Sequence, residues 1–267
     1  MMTRRGIYGW CIYDWANSAF NTIIGTFVFS VYFARGIYGD ETAGSAVWGY
    51  ALGTAGVCVA LLSPVLGAIA DRGGARKPWL AGFVLLTLVS TALLWFATPE
   101  KSMVAYALAC VIVATITFEL ANVFYNSMLE EVAPPGMIGR ISGWAWGMGY
   151  AGGLGCLTLA LVGFIQPETP PFGLSKENAE NIRATVLLVV FWFGLFSLPL
   201  FLLTPDRASA GLSIGRAVTD GLAGLRTTLR NVRHYGQIVR FLIASALYRD
   251  GLATLFAVGG LYAAGTF

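Results

Sequence analysis

Two acidic residues lie inside stretches that are otherwise long and apolar enough to cross a membrane. Asp14 is in the first stretch, where helical spacing places Asn17, Ser18 and Asn21 on the same face. A carboxylate at bilayer depth costs on the order of 2.5–3.5 kcal/mol by insertion scales, so it normally faces a helix bundle or a wet cavity. The first stretch therefore predicts a polar path rather than a lipid-facing helix.

A similar polar stripe lies in a later apolar stretch. Helical spacing places Glu119, Asn122 and Asn126 on one face, and Asp250 is a third carboxylate within an apolar run. Carboxylates at this depth can carry protons or bind an ammonium group, and amides offer donors and acceptors to a solute. These residues are therefore predicted to line a pathway for a solute or for protons. The alternative is that they hold helices together, at about 0.6 kcal/mol per contact.

The composition of the 267 residues is that of a membrane protein. Hydrophobic residues make up 57% and charged residues 12%, with a mean hydropathy of +0.69, whereas soluble domains carry about 25% charge. Apolar runs of bilayer-spanning length recur, and they are too long and too evenly apolar for barrel strands. They predict an all-α polytopic membrane protein. The predicted spans are 8–34, 46–70, 78–98, 102–126, 138–165, 183–204 and 237–264.

Basic residues are distributed unequally between the loops. With the N-terminus inside, twelve lysines and arginines fall in cytoplasmic segments and four on the opposite side. This bias predicts a cytoplasmic N-terminus. The net charge of +3 therefore reflects topology and does not indicate nucleic-acid binding.

No cofactor, metal site or enzymatic activity is predicted. The four cysteines all fall inside predicted spans and form no CxxC pair, so they are interpreted as small apolar packing residues. The chain has no HExxH or GxGD motif, and its one histidine, His234, lies outside the spans. An intramembrane enzyme would therefore lack its catalytic groups.

The segment 205–236 differs from the rest of the chain. Hydrophobic residues recur there at steps of three and four, with arginines on other faces, which is typical of an amphipathic helix on a membrane surface. The recurring residues are Val218, Leu222, Leu225, Leu229 and Val232. The predicted domains are a six-helix transmembrane half (1–204), a cytoplasmic amphipathic linker (205–236) and the first helix of an incomplete second half (237–267).

The loop between the second and third spans carries the most specific motif of the chain. Its residues are Gly67, Asp71, Arg72, Gly74, Arg76 and Lys77. This order of glycine, Asp-Arg, glycine and a basic pair resembles the signature loop of the major facilitator superfamily. The resemblance implies a gating loop that latches two six-helix halves together when the cytoplasmic side is closed. Ala75 stands where a basic residue is common, so the latch is expected to be weaker or differently paired. The other interpretation is an ordinary positive-inside loop.

Three further segments narrow the resemblance. They are Tyr13–Phe20 (YDWANSAF) in the first span, Tyr125–Leu129 (YNSML) at the end of the fourth, and Gly139–Gly143 (GRISG) opening the fifth. Together they resemble the branch of the superfamily related to fungal autophagy-associated vacuolar amino-acid effluxers, including its bacterial members. The resemblance implies a solute transporter with amino acids as the substrate class.

An internal repeat agrees with this fold. Superfamily transporters consist of two six-helix halves related by an axis along the membrane normal, so helices one and seven are equivalent. Three residues of the first span recur at identical spacing in the seventh: Asp14, Ser18 and Phe20 correspond to Asp250, Thr254 and Phe256. Within this repeat, Arg249 stands beside Asp250 and is expected to form a local or inter-helix charge pair.

The fifth predicted span is dense in glycine. Gly143/Gly147 and Gly149/Gly153 are small-xxx-small pairs, which permit close approach of helix backbones. Plain helix packing is the favoured interpretation. The alternative is that this helix bends or slides against the other half during transport.

The sequence thus predicts a secondary active transporter of a small polar solute, working by alternating access. Amino acids are the candidate substrates and protons a candidate coupling ion. The expected partners are the solute and the lipid bilayer, without nucleic acid, and the intact protein is expected to be a monomer in a bacterial inner membrane. Because helices eight to twelve of the fold are missing, the chain is expected to be a fragment. The alternatives are an inactive or accessory half-transporter and a seven-helix receptor, although the seventh span has no lysine for retinal.

Overall fold

Seven long helices make up most of the chain. The computed structural model describes residues 4–72, 75–206 and 235–266, together with residues 219, 223, 224, 226, 227 and 230, and no strand occurs among them. The helices are α1 (Arg4–Tyr38), α2 (Glu41–Arg72), α3 (Lys77–Leu93), α4 (Val104–Ser127), α5 (Ile138–Ala160), α6 (Glu180–Leu203) and α7 (Gly236–Thr266).

The first six helices are long and apolar enough to cross a membrane. They confirm an all-α polytopic membrane protein. The hydropathy pattern places the first two spans at 8–34 and 46–70, but α1 extends over Arg4–Tyr38 and α2 over Glu41–Arg72. Polar and glycine residues at the ends lower the local hydropathy without ending the helix, because a helix can continue into the interfacial region.

The predicted amphipathic linker lies almost entirely outside the described residues. Its five recurring hydrophobic positions and His234 are not described, while Arg226 and Arg230 are described and exposed. A surface helix within 205–236 therefore stays a prediction.

Glycines bring α1 into close contact with α5. A Cβ atom at Gly152 would stand 2.3 Å from the carbonyl oxygen of Trp15, and one at Gly149 would stand 2.7 Å from Ser18 Oγ. At Gly153 the same atom would stand 2.6 Å from a threonine hydroxyl of α1. Only a residue without a side chain permits this approach of two backbones. Packing is thus confirmed as the role of Gly149 and Gly153.

The other glycine pair of α5, Gly143 and Gly147, has no close neighbour among the described residues. Nothing in the described chain lies within 4 Å of a Cβ placed at Gly143 or Gly147, and both residues are exposed. The spacing alone does not separate the two pairs, because it fixes which residues share a helix face but not which neighbour that face meets.

The first helix is not a regular α-helix throughout. It is α-helical over Arg4–Ala19, then π-helical over Phe20–Phe27 and Phe33–Tyr38, with a short α-helical segment Phe29–Tyr32 between. A π-helix has a wider i→i+5 turn, so the 3.6-residue spacing no longer gives the face of a residue. Asn21 lies at the start of the first π-helical segment, so the expectation that it shares the face of Asp14 stays a prediction.

We expect Gly152→Ala to destabilise the protein, because its Cβ would overlap the Trp15 carbonyl oxygen and push α1 away from α5. Overpacking of this kind costs about 1–3 kcal/mol. Gly147→Ala is the matched control, since it makes the same change in helix propensity in open space. Thermal unfolding in detergent measures both variants. Equal melting temperatures would contradict the close approach of the two helices.

Candidate functional site

A chain of polar side chains joins α1 to α4. The side-chain amide of Asn17 donates to Asp14 Oδ1 at 3.5 Å and to Asn122 Oδ1 at 3.4 Å. Glu119 lies one turn before Asn122 in α4, close enough for a side-chain interaction. Asn17 is buried, whereas the other three residues are half-buried. The two separate sequence stripes thus meet at the hydrogen bond between Asn17 and Asn122, with a carboxylate beside each amide.

An aromatic cluster positions Asp14 against α4. The Trp10 ring stacks on Tyr125 with centroids 4.5 Å apart, and Tyr13 packs against the same ring at 4.6 Å. The Trp10 indole donates to the Tyr125 carbonyl oxygen at 3.2 Å, and the Tyr125 hydroxyl donates to the Trp10 carbonyl oxygen at 3.1 Å. The Tyr125 hydroxyl also lies close to the Asp14 carboxylate. These reciprocal contacts fix the register of α1 on α4.

The other predicted pathway residues lie apart from this network. Ser18 is half-buried and lies against Gly149 of α5, while Asn21, Asn126 and Asp250 are exposed. No hydrogen bond within the described ranges links these four polar residues to the network. The structure therefore brings together four of the eight predicted residues: Asp14, Asn17, Glu119 and Asn122.

The seventh helix approaches the network from one side. α7 packs against α1 over Phe20–Phe27 and Phe29–Tyr32. Arg249 of α7 is close enough to Glu119 for an electrostatic interaction. No ion pair of Arg249 occurs among the described residues, so the charge pair expected for it stays a prediction.

Arg76, the first residue of the basic pair in the gating loop, is buried inside the bundle. Arg76 is 4% exposed and donates to the carbonyl oxygens of Ala70 at 3.1 Å and Ser127 at 2.7 Å, in the last turns of α2 and α4. It also forms an ion pair of 2.8 Å with Glu131. A cation at these points satisfies free carbonyl groups and opposes the negative ends of two helix dipoles.

Asp206 and Lys77 extend this cluster to α6. The Asp206 carboxylate accepts the backbone N–H groups of Arg76 and Lys77, each at 3.0 Å, at the N-terminus of α3. The Lys77 ammonium group donates to the carbonyl oxygen of Phe201, near the end of α6, at 2.8 Å. The negative charge of Asp206 lies at the N-terminus of α3 and the positive charge of Lys77 lies near the C-terminus of α6, so each interacts favourably with a helix dipole. The basic pair therefore ties together helices of the first six.

The remaining residues of the gating loop are described in part. Asp71 and Arg72 close α2, but their side chains and all of Gly74 lie outside the described residues. At Gly67, nothing in the described chain lies within 4 Å of a Cβ atom. A latch between two halves stays a prediction.

Glu131, Asp206 and Arg249 are the residues that the sequence reasoning did not place in the site. Arg76 lies 55 positions before Glu131 and 130 before Asp206, so no local spacing connects them. One signal was available: each of these charges stands at the end of an apolar run or inside one, where a charged side chain needs a partner. This signal indicates that each charge needs a partner but does not identify the residue that provides it.

The described residues offer no metal centre. Among them, no group of three or more histidine, cysteine or acidic side chains could hold a metal ion. All four cysteines are free. The polar groups of the network are suited to binding a polar or charged organic solute or to carrying a proton.

Comparisons with known proteins decide the family. Residues 2–156 match the model of the Major Facilitator Superfamily, and residues 133–267 match the model described as Vacuole effluxer Atg22 like. The chain belongs to the major facilitator superfamily. It is 30% identical over 258 residues to the Uncharacterized MFS-type transporter YxiO of Bacillus subtilis (strain 168). No solved structure matches it.

Membership in the superfamily confirms the resemblance drawn from the loop motif and from the three narrower segments. The Atg22-like match begins at residue 133 and so includes Gly139–Gly143, whereas Tyr13–Phe20 lies within the superfamily match. The alignment with the Bacillus protein covers 95% of this chain and 59% of that protein. The chain thus spans about three fifths of the length of this curated relative.

We expect Glu131→Gln to lower the melting temperature, because it removes the carboxylate that pairs with the buried Arg76. A hydrogen bond to a charged group contributes about 1.5–3 kcal/mol. Glu130→Gln is the matched control, since Glu130 is the exposed neighbour in the same short helix. Thermal unfolding in detergent is the measurement. If both variants have the melting temperature of the wild type, the ion pair between Arg76 and Glu131 contributes nothing to stability.

Proposed function

We propose that the protein is a secondary active transporter of small polar solutes, with amino acids as the substrate class. Membership in the superfamily supports the proposal that the protein is a transporter. The polar network between α1 and α4 supports the proposal that its solute is polar. This network places two carboxylates and two amides together within a membrane bundle. Since the chain spans 59% of its relative, the proposed activity is that of the whole protein.

In this proposal each polar group of the network has a role. Asp14 and Glu119 bind an ammonium group or carry a proton, and Asn17 and Asn122 exchange hydrogen bonds with the solute. The hydroxyl of Tyr13 supports the assignment, because it is buried beside Asp14 without a hydrogen-bond partner among the described residues. A buried donor without a partner is costly, and a solute bound there would satisfy it.

The exposed amides extend the path on both sides of the network. Asn21 lies one turn after Asn17 in α1, and Asn126 lies one turn after Asn122 in α4, each about 6 Å further along its helix axis. The two helices run in opposite directions through the membrane in the proposed topology. The two amides therefore lie on opposite sides of the network, where an entering or leaving solute meets them.

Alternating access requires two halves that rock about the site. We assign residues 1–204 to the first half and residues 237–267 to the start of the second, with the loop of Gly67, Asp71, Arg72 and Gly74 closing the cytoplasmic side. Arg76 and Lys77 support a modified form of this gate, because they are bonded within the first half. The proposed latch therefore depends on Asp71 and Arg72 rather than on the basic pair.

We expect Asp14→Asn and Glu119→Gln each to reduce gradient-driven uptake by about tenfold or more, since each removes a charged group that the solute or proton requires. The measurement is uptake of labelled amino acids into proteoliposomes containing the full-length protein. Glu168→Gln is the control, because Glu168 is an exposed carboxylate in the loop before α6. Normal uptake by both site variants would contradict the assignment.

Exchange transport separates proton coupling from solute binding. If a carboxylate only carries the proton, its amide variant loses accumulation against a gradient but retains exchange of labelled for unlabelled solute at equal concentrations. If the carboxylate binds the ammonium group, the variant loses both activities. We expect Asp14→Asn to retain exchange and Glu119→Gln to lose it, because Glu119 lies nearer the opposite charge of Arg249. The reverse result would exchange the two roles.

We place the protein in a bacterial inner membrane as a monomer with a cytoplasmic N-terminus. The distribution of basic residues supports this topology, because Arg4, Arg76 and Arg140 all belong to the same end of the bundle. In a cysteine-free background, we expect a membrane-impermeant maleimide to label Ser102→Cys in intact cells and to leave Glu130→Cys unlabelled. Both positions are exposed loop or helix-end residues. The opposite pattern would invert the topology.

A further inference from the structure

A cavity lies at the end of the bundle opposite the buried Arg76. Its volume is about 540 Å³, and it is enclosed by α1, by the end of α5, by the start of α6 and by the connection between α3 and α4. The lining residue of α1 that comes first in the chain, Phe27, lies about 10–15 Å further along the helix than Asn17. The cavity is therefore separate from the polar network between α1 and α4.

Most of the cavity wall is apolar. α1 contributes Phe27, Val28 and Val31, and the π-helical segment Leu161–Ile165, which continues α5, contributes its first and last residues. Sites for small organic molecules have volumes of about 300–1,000 Å³ and mostly hydrophobic walls with a few polar groups. The volume and the walls of this cavity thus suit a molecule with an apolar body.

Two charged residues of opposite sign also line the cavity. Arg35 lies near the end of α1 and Glu177 in the loop before α6, and both are exposed, which places them at the mouth. The Arg35 guanidinium group forms an ion pair of 2.8 Å with Glu41 at the start of α2. Because exposed charges are screened by water and salt, these residues alone favour neither sign strongly.

A buried guanidinium group beside the cavity favours an anion. Arg183 directly follows the lining residue Ile182, and its Nη2 donates at 3.2 Å to the carbonyl oxygen of Asn178, which precedes the lining residue Ala179. Its Nη1 donates to the Trp95 carbonyl oxygen at 2.7 Å, whereas its Nε is buried without a partner among the described residues. No described carboxylate forms an ion pair with it. A buried charge of this kind is screened much less than one at the mouth.

The first turn of α6 adds to the positive side of this wall. Ala179 and Ile182 both line the cavity, so the positive end of the α6 dipole lies beside it. Glu180 in the same turn is a carboxylate whose oxygen accepts the N–H of Ser175 at 2.8 Å. The wall therefore combines a buried cation and a helix N-terminus with one carboxylate that is already hydrogen-bonded.

We propose that this cavity binds an anionic amphiphile from the membrane, a molecule with one carboxylate or phosphate group and an apolar chain. The chain packs against Phe27, Val31 and Leu161. The head group lies at the mouth near Arg35, in the positive field of Arg183 and of the α6 N-terminus. This site is distinct from the network assigned to the transported solute and does not depend on the proposed transport function.

The experiment uses the full-length protein in phosphatidylcholine nanodiscs and a palmitate analogue with a photoactivatable diazirine in its chain. Mass spectrometry locates the cross-links, which we expect on the segments 27–36 and 161–165. Palmitate should compete about tenfold better than hexadecanol or hexadecylamine, since only the carboxylate is attracted by the buried cation. Phosphatidylglycerol is tested as a second competitor. Competition by it identifies a phospholipid as the source of the anion, and competition by palmitate alone identifies a free fatty acid.

A variant that fills the cavity tests its location. We expect Val31→Trp to reduce cross-linking about tenfold or more, because the larger ring occupies the space of the chain. Val113→Trp is the matched control, since it makes the same change at an exposed position of α4.

Charge variants test the sign of the head group. Arg35→Gln and Arg183→Gln are each expected to weaken palmitate about threefold or more and to leave hexadecanol within about twofold, whereas Glu177→Gln should strengthen palmitate. Lys176→Gln, which changes an exposed cation beside Glu177, is the control. If Arg183→Gln does not fold, the two variants at the mouth keep the test, because both residues are exposed.

Four results would overturn the proposal. Equal competition by the three head groups would show that the cavity reads only the chain, and stronger competition by hexadecylamine would show a site for cations. Cross-links that Val31→Trp leaves unchanged would place the amphiphile elsewhere. Absence of cross-links in the wild type would show that no such molecule occupies the cavity in the full-length protein.

Discussion

A charged or polar group inside a membrane bundle has to be held by other protein groups, because the hydrocarbon core provides no water for it. The arrangement of α1 follows from this constraint. Its carboxylate at Asp14 is held by Asn17 on the same helix and lies close to the Tyr125 hydroxyl of α4. Its backbone is fixed on two further sides, by Gly152 of α5 and by the Trp192 indole of α6, which donates to the Trp15 carbonyl oxygen at 3.2 Å.

The same constraint acts at the two ends of the bundle. Arg76 is buried at one end and donates to carbonyl oxygens in the last turns of α2 and α4. Arg183 is 6% exposed at the other end, where it donates to the Trp95 carbonyl oxygen at 2.7 Å and lies over the Trp95 ring at 5.2 Å. Each arginine thus satisfies helix ends that would otherwise be buried without partners. These helix ends are satisfied by long-range side chains, whereas α2 begins with a local cap in which the Asp40 carboxylate accepts the Ala43 N–H at 2.9 Å.

The sequence predicts the membrane helices and the two carboxylates, because hydropathy and the cost of a buried charge are local properties that spacing can reveal. It also predicts that Asn17 and Asn122 accompany them. It does not predict the change from α-helix to π-helix after Ala19, because the spacing of polar residues carries no sign of a wider turn. It does not predict Glu131 as the partner of Arg76 either, since that contact spans 55 positions and depends on how α2 and α4 end.

The proposed mechanism depends on a difference between helices: α1 and α4 are bonded to each other, whereas α7 is a separate helix packed against α1. Asp14 and Asn122 belong to helices that are locked together by the reciprocal bonds of Trp10 and Tyr125, so their separation is fixed within the first half. The helix α7 contacts α1 over Phe20–Phe27 and Phe29–Tyr32. A movement of α7 relative to α1 would therefore leave the network unchanged. A solute that contacts both the network and α7 would favour one position of α7. Differential binding of this kind is what a solute needs in order to shift the equilibrium between two conformations.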